Sequence, residues 1–516
     1  MTNTATLNTP DPDKDEKAFL RFFNKALIFQ SNNQYPQAIE YYEKAVSLKP
    51  DYLPTRQVLG YLYQATEQYT EALIQYRHAI KLHEYSATLQ NSAGLCEELC
   101  RNLPAAKYHY KMAIQLEQNS AESLNNLGNV CRKLGEYEVA EKYLLEALRL
   151  NISIETLANL GLVMEELGKL SLALSFYEHA LRLQPDNPQL NWNKSLVLLS
   201  QGHFDQGWFL YDQGKFAKTR SKQISPQVTD KSEFSIEYFR DKSVYIRGEQ
   251  GIGDEIMFAS CIPDILAVAT KCTIECDGRL LLLFQRSFPE ASVVGQCDPS
   301  SGKLNVENTD ADVVISMGSL PRFVRRNYSD FPPEKAFLYS SNKAEESWRQ
   351  RYTTKQKSVN IGISWKGGIN DESRRRSTEL NAWTNILSIK NINFVNLQYG
   401  DISDEKEIAD KYLTEWPDTN HYHDIEQLAA QISALDLVIT VSNATAHLAG
   451  ALGVPVFILL PHSPNWRWFM GKNPSPWYGS ATLFTQKKTD DWKDVFEAIE
   501  HTLISTCITE ESSTDI

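Results

Sequence analysis

The N-terminal part of this chain repeats itself at a spacing that only a few architectures can satisfy. Ala38, Ala72, Ala106, Ala140 and Ala173 recur at steps of 34, 34, 34 and 33 residues, and Ala45, Ala79, Ala113, Ala147 and Ala180 each follow seven positions later. Gly60, Gly94, Gly128 and Gly161 keep the same beat. Tyr42, Tyr76, Tyr110 and Tyr177 fall four after the first alanine of their units, Leu144 replacing the ring once, and Pro50 and Pro185 close two units. Such a period marks a solenoid, in which each unit is one supersecondary piece that buries its apolar face only by stacking on its neighbours. The small residues are expected where two helices of a unit cross closely, and the ring between neighbouring units. An all-α solenoid is therefore predicted over 18–213. Its units span about 19–52, 53–86, 87–120, 121–153 and 154–187, and a degenerate sixth, 188–213, containing Trp192, Leu196, Gly202, Gly207, Trp208 and Tyr211, is expected to cap it.

Length and charge restrict the remainder. With 516 residues there is material for more than one domain. A net charge of -13 argues against coating nucleic acid or binding acidic membranes. Residues 1–17 are polar, lack the basic and apolar regions of a secretory signal, and are expected to be disordered. No apolar stretch approaches the roughly 20 residues that span a bilayer, and Val454 to Leu460 fits a buried strand. A cytoplasmic protein without a membrane span is the expectation. The pairs Cys96/Cys100 and Cys272/Cys276 lack the two-residue spacing and companion histidines of a zinc site, and are read as buried thiols with no metal implied.

Periodicity fades over 214–242, which is read as a linker. Beyond it, Val244 to Ile246, Cys272 to Cys276, Val313 to Ile315, Val359 to Ser364, Phe394 to Leu397, Leu437 to Val441 and Val454 to Leu460 alternate with helix-like segments. This order predicts α/β structure with parallel sheets, as two Rossmann-like units at 243–340 and 355–505 facing each other across a cleft.

Three loops carry the chemistry. Gly248-Glu249-Gln250-Gly251-Ile252-Gly253-Asp254-Glu255 joins a strand to a helix, where backbone amides and one or two side chains are exposed at the edge of a sheet. Glu249 and Glu255 stand beside Asp254 as alternative bases, or respectively as a partner for loop amides and a helix-start charge. Ser442-Asn443-Ala444-Thr445 opens a second helix; Ser442 or Asn443 can cap it, leaving amides for an anion. His447, one turn in, either meets that ligand or packs beneath the loop. Ile363 to Gly368 is another strand running into glycines, followed by Arg374-Arg375-Arg376, which is either a diphosphate-neutralising loop or a solvated charge run.

The 34-residue unit resembles the tetratricopeptide repeat. Arg247 to Pro263, Ile361 to Ser377, Phe394 to Gly400 and Asp436 to Pro461 resemble, in order, the heptosyltransferase-like glycosyltransferases of family 9, in the version that bacteria attach to tetratricopeptide repeats. The likeness runs from Val244 to about Gln486, through Pro461 to Trp468 and Ser475 to Tyr478. It implies a GT-B architecture of two Rossmann units and a metal-independent, inverting transfer with no cofactor besides the nucleotide-sugar substrate. By this resemblance Lys366, Arg376, Ser442, Asn443, Ala444, Thr445 and His447 hold the donor. Asp254 is the general base, and Gly251 and Gly253 bring a protein or glycan acceptor hydroxyl close to it. The repeats would present that acceptor or another partner protein. Many relatives carry Asp-Thr where this chain has Ser442-Asn443, which changes the hydrogen bonds available to the donor. Trp466 to Trp468 either stack on sugar or base, or pack beside Pro461 and Pro464. A catalytically silent scaffold and an O-GlcNAc-transferase-like protein remain as alternatives, the Gly-Ile-Gly-Asp loop speaking against the latter.

Overall fold

The computed structural model describes residues 12–212, 234–296, 310–331, 336–353, 359–368 and 375–511. Two compact units divide the chain between Met164 and Glu165, so the boundary falls well before the linker expected at 214–242.

The first unit is helical. Its antiparallel pairs are α1 (Pro12–Ser31) with α2 (Tyr35–Leu48), α3 (Leu53–Ala65) with α4 (Tyr69–Leu82), α5 (Ala87–Leu99) with α6 (Leu103–Leu116), and α7 (Ala121–Lys133) with α8 (Tyr137–Leu150). A helix begins at Pro12, inside the stretch expected to be disordered; residues 1–11 lie outside the described residues. The periodic alanines are fully buried. The periodic glycine and ring belong together: a Cβ on Gly60 would come within 2.6 Å of the Tyr76 ring, one on Gly94 within 2.8 Å of Tyr110, and one on Gly128 within 2.5 Å of Leu144. The large side chain thus fills the crossing inside its own unit, rather than the gap between units. Its hydroxyl then ties the pair together, Tyr42 to Gln30, Tyr76 to Gln64 and Tyr110 to Glu98.

Helix α9 (Ile154–Glu166) follows, and the second unit holds α10 (Leu170–Leu183), α11 (Pro188–Ser200), α12 (Phe204–Tyr211) and two all-parallel sheets. The first sheet contains β1 (Ser243–Arg247), β2 (Lys271–Cys276), β3 (Ser292–Gly295) and β4 (Val313–Ser316) in the order β3-β2-β1-β4. The second contains β5 (Val359–Ser364), β6 (Ile392–Asn396), β7 (Leu437–Val441), β8 (Val456–Leu460) and β9 (Ala481–Thr485) in the order β6-β5-β7-β8-β9. In each, the chain winds outward one way and then returns to the other side of its first strand, leaving a crevice at the carboxyl ends of β1/β4 and of β5/β7, where parallel sheets hold ligands.

The helix pair expected to cap the solenoid is built into this second unit. Leu199, Phe204, Trp208 and Tyr211 share one apolar core with Ile246, Phe258, Phe331, Trp466 and Trp477. The Trp208 indole donates to the Arg325 carbonyl at 2.9 Å, and Asp212 pairs with the buried Arg322. Five large rings within α11 and α12 are more than a polar cap needs, and burying them requires another apolar surface. Residues 214–233 of the expected linker lie outside the described residues, whereas Phe234 and Phe239 are core residues.

Candidate functional site

The two crevices meet. The loop after β1 enters the short Ile252–Phe258 helix, with Gly251 at its N-cap, and the loop after β7 enters the Ala444–Ala451 helix. A Cβ on Gly253 would lie 3.2 Å from His447 Cδ2 and 3.6 Å from the Ala444 Cα. Gly253 therefore serves the close approach of two helices and does not face open space, whereas nothing lies near the Cβ position of Gly251.

Asp254 sits in the first turn of its helix, mostly covered. Its Oδ1 accepts from Arg467 Nε at 2.6 Å and lies 2.5 Å from Arg467 Nη2. Arg467 is itself fixed by Asn465 Oδ1 at 2.7 Å and by the Trp466 ring, 4.8 Å from its guanidinium carbon. Glu255 points into the protein instead. Its Oε2 accepts from the Asp277 amide at 2.8 Å and its Oε1 from Gln296 at 3.1 Å, and burial pushes its carboxyl up to about 8. Glu249 is also buried, its Oε1 against Gly318 at the end of β4.

On the facing side Asn443 is the cap. Its Oδ1 accepts from the Ala446 amide at 3.2 Å, while its Nδ2 donates to Ser364 Oγ at 2.9 Å and to the Lys366 carbonyl at 3.1 Å, locking the ends of β5 and β7 together. Ser442 Oγ accepts from the Trp468 indole at 2.7 Å. The Ala444 amide faces the Tyr399 hydroxyl. His447 bonds Tyr478 through Nδ1 at 2.9 Å and stacks on Trp468 at 4.9 Å. Burial, with the charges of Arg467 and Arg376, holds its imidazole down to about 3, so it is neutral. Of the two roles open to His447 and the tryptophans, packing describes these contacts.

The expected donor cations separate. Lys366 Nζ is 2.5 Å from Glu405 Oε2, and Arg375 pairs with Glu166, whereas Arg376 keeps its charge near His447 and Tyr399. Arg374 lies outside the described residues. Beside the Ala444–Ala451 helix is a cavity of about 210 Å³, walled by Ile252 and Ile256 from one side and by Tyr399, His421, Tyr422 and Thr445 from the other. Among the described residues the Thr445 hydroxyl has no hydrogen-bond partner. The sequence pattern did not single out this aromatic wall, because Tyr399, His421 and Tyr422 follow strand or turn positions with no spacing of their own. Nor did it single out Arg467, which was read only as the residue between two tryptophans.

A family model described as tetratricopeptide repeat matches residues 21–52, another 53–84, and a third 119–186. The N-terminal helices are tetratricopeptide repeats. Residues 85–118 keep their signature, Gly94 under Tyr110 between Ala106 and Ala113. Along successive repeats Asn91, Asn125 and Asn159 also recur at the same spacing; Asn159 donates to Asn125 at 3.0 Å and Asn126 to Asn91 at 3.3 Å. This stripe was legible in the period and passed over beside the more conspicuous small residues. Among curated proteins, Protein FlbA of Caulobacter vibrioides is 29% identical over 330 residues, 60% of this chain and 54% of that protein. The chain thus spans about half the length of this relative. Solved structures similar to part of the chain include YrrB, described as a TPR protein with an unusual peptide-binding site (19% identity, 36% of this chain and 95% of that one, TM-score 0.32), and Pseudomonas aeruginosa PilF (18%, 39% and 92%, TM-score 0.34). No helix among the described residues is long and apolar enough to cross a membrane.

Proposed function

We propose that the second unit is a glycosyltransferase that moves a sugar from a nucleotide-sugar donor to an acceptor hydroxyl with inversion, and that its two sheets form a GT-B-type pair. The observation that carries this reading is the meeting of the two crevices, in which Gly253, the neighbour of Asp254, lies against Ala444 and His447 at the start of the Ala444–Ala451 helix. In the transfer, the acceptor oxygen attacks the anomeric carbon while its proton passes to Asp254. The bond from that carbon to the diphosphate oxygen breaks, its electron pair leaving on the nucleoside diphosphate. A positioned base contributes about 10² to 10⁴ in rate. The leaving charge is met by Arg376, the helix start at Ala444 and Thr445, and fixed dipoles. The cavity beside Tyr399 and Tyr422 would take part of the donor, with the Thr445 hydroxyl as a partner for it. The repeats would recruit a protein or other extended acceptor, whose backbone amides suit the Asn91-Asn125-Asn159 stripe.

Some of the same contacts favour a second reading, a silent scaffold: Lys366 is paired with Glu405, Ser442 with Trp468, and Asp254 with Arg467. The deciding experiment incubates purified protein with a panel of sugar nucleotides and follows hydrolysis and transfer, with Asp254→Asn alongside. Turnover lost by about 10² or more in the variant supports the transferase. No turnover with any donor supports the scaffold, and full turnover in Asp254→Asn removes Asp254 as base.

A further inference from the structure

The geometry points to Arg467 as a donor-binding residue that exchanges partners, holding Asp254 when the site is empty and the diphosphate of a nucleotide when it is filled. This rests on the transferase reading and adds to it a cation that none of the residues named above for the donor includes.

Three observations carry it. First, Arg467 presents Nε and Nη2 to a single oxygen of Asp254, and its third nitrogen to Asn465. A planar fork of that kind fits a phosphate as well as a carboxylate. Second, Arg467 lies at the helix start rather than away from it: its charge, with that of Arg376, bears on His447 in the first turn of the Ala444–Ala451 helix. Lys366, by contrast, is held by Glu405, which also accepts from the Trp365 indole at 2.9 Å and the Leu380 amide at 2.7 Å, so it is the less available cation. Third, the Asp254–Arg467 pair joins the helix that lends Ile252 and Ile256 to the cavity of about 210 Å³ with the segment after β8, so this ionic contact stands beside the cavity.

The exchange makes chemical sense of an otherwise awkward pairing. An Asp254 oxygen bonded to a guanidinium is closed to an acceptor hydroxyl. When the diphosphate takes the guanidinium, that oxygen is released to accept the hydroxyl proton, and the cation is in place for the charge that develops on the leaving oxygen. Release of Oδ1 is then coupled to donor binding. Gln250 steadies the loop through this change: its Nε2 donates to the Tyr211 hydroxyl at 2.6 Å, from a backbone held at φ 67°.

The test is a double-mutant cycle read by titration calorimetry with UDP, GDP, ADP and dTDP as probes. Asp254→Asn removes the competitor for Arg467 and should tighten binding by about fivefold, whereas Arg467→Gln should weaken it by about tenfold or more. In the Arg467→Gln background, Asp254→Asn should lose most of its effect. Arg467→Lys, which keeps the charge and loses the fork, should fall between, separating loss of the cation from loss of folding. Equal effects of Asp254→Asn in both backgrounds, or none in either, overturn the exchange while leaving the transferase reading standing. Binding of none of the four nucleotides to the unaltered protein overturns both.

Discussion

Gly94 in the repeats and Gly253 in the second unit both sit where a neighbouring residue crowds the place of a Cβ, at 2.8 Å over Gly94 and 3.2 Å over Gly253. Over Gly94 the occupant is Tyr110 of the same repeat, and the arrangement recurs at Gly60 with Tyr76 and at Gly128 with Leu144. Over Gly253 it is His447, almost two hundred residues away and met once. The repeats thus spread one local rule over many copies, each coupled to its neighbours. The second unit relies on single, long-range contacts, so one substitution there has no copy to share its cost. Tryptophan separates the two in solution: all ten, from Trp192 onward, belong to the second unit, so their fluorescence reports its unfolding alone.

The largest effect is expected at Asp212. It pairs with Arg322 in the core and accepts from Ser319 Oγ at 2.7 Å, while the Arg322 guanidinium lies 4.2 Å from the Phe234 ring centroid. Asp212→Ala leaves a buried cation without its anion, at a cost of about 3 to 5 kcal/mol. The tryptophan transition in guanidinium should move down accordingly. A shift worth less than about 1 kcal/mol would place this pair with ordinary surface bridges and would mean that the second unit absorbs the loss of a single long-range contact as readily as the repeats do.

Glu255 gives the next effect, and its sign follows from burial. The folded carboxyl titrates near 8 instead of its ordinary 4.5, so between those values the folded state holds a proton that the unfolded state has lost. Stability from this group is full below pH 4.5 and declines by about 1.4 kcal/mol per pH unit as pH rises towards 8. His447, held down to about 3 from 6.5, acts oppositely: its neutral burial is lost as a stabilising term as pH falls below 6.5. Between pH 6.5 and 8 only Glu255 of this pair contributes. Urea midpoints by tryptophan fluorescence should therefore fall over that window in the unaltered protein and stay flatter in Glu255→Gln. Parallel slopes would show that Glu255 ionises normally in the fold.

Legibility in the sequence followed the same division. Gly60, Ala72 and Tyr76 announce their helices because the rule recurs at a fixed step, and only the partner of the ring was misplaced, since period alone does not distinguish a contact within a unit from one between units. In the second unit the long buried strands were legible as apolar runs. β3 and β9 were not, because each lies at the end of its sheet and more than half of its residues are at least partly exposed. At the site, Asp254 and Asn443 stood out by loop chemistry. Arg467 did not, because its importance lies in facing Asp254 across more than two hundred residues, a relation that no local pattern carries. The degenerate sixth unit misled for a related reason: Trp208 and Tyr211 occupy repeat-like positions, but their partners Trp466 and Phe258 come from short helices that follow β8 and β1.

Within the repeats a single change should matter less and spread further. Gly94→Ala places a methyl within 2.8 Å of the Tyr110 ring, an overpacking worth about 1 to 3 kcal/mol. Hydrogen exchange should rise in α5 and α6 and, by stacking, in α4 and α7, while the tryptophan transition stays where it was. Protection lost only at Gly94 and Tyr110 would mean that the repeats are less coupled than their stacking implies.

Tyr110→Phe is the finest probe, because it keeps the ring over Gly94 and removes only the hydroxyl. That hydroxyl donates to Glu98 Oε2 at 3.0 Å, and Glu98 Oε1 in turn accepts from Asn129 at 3.0 Å and from Lys133 at 2.8 Å, both in the next repeat. One hydrogen bond to a charged acceptor is worth about 1.5 to 3 kcal/mol, but an acceptor that keeps two other partners and some access to water should lose nearer 1 kcal/mol. The loss should therefore fall below that of Gly94→Ala. If Tyr110→Phe proves the costlier of the two, the network through Glu98, rather than the glycine-ring contact, is what holds successive repeats in register, and the device shared with Gly253 would be secondary in the solenoid.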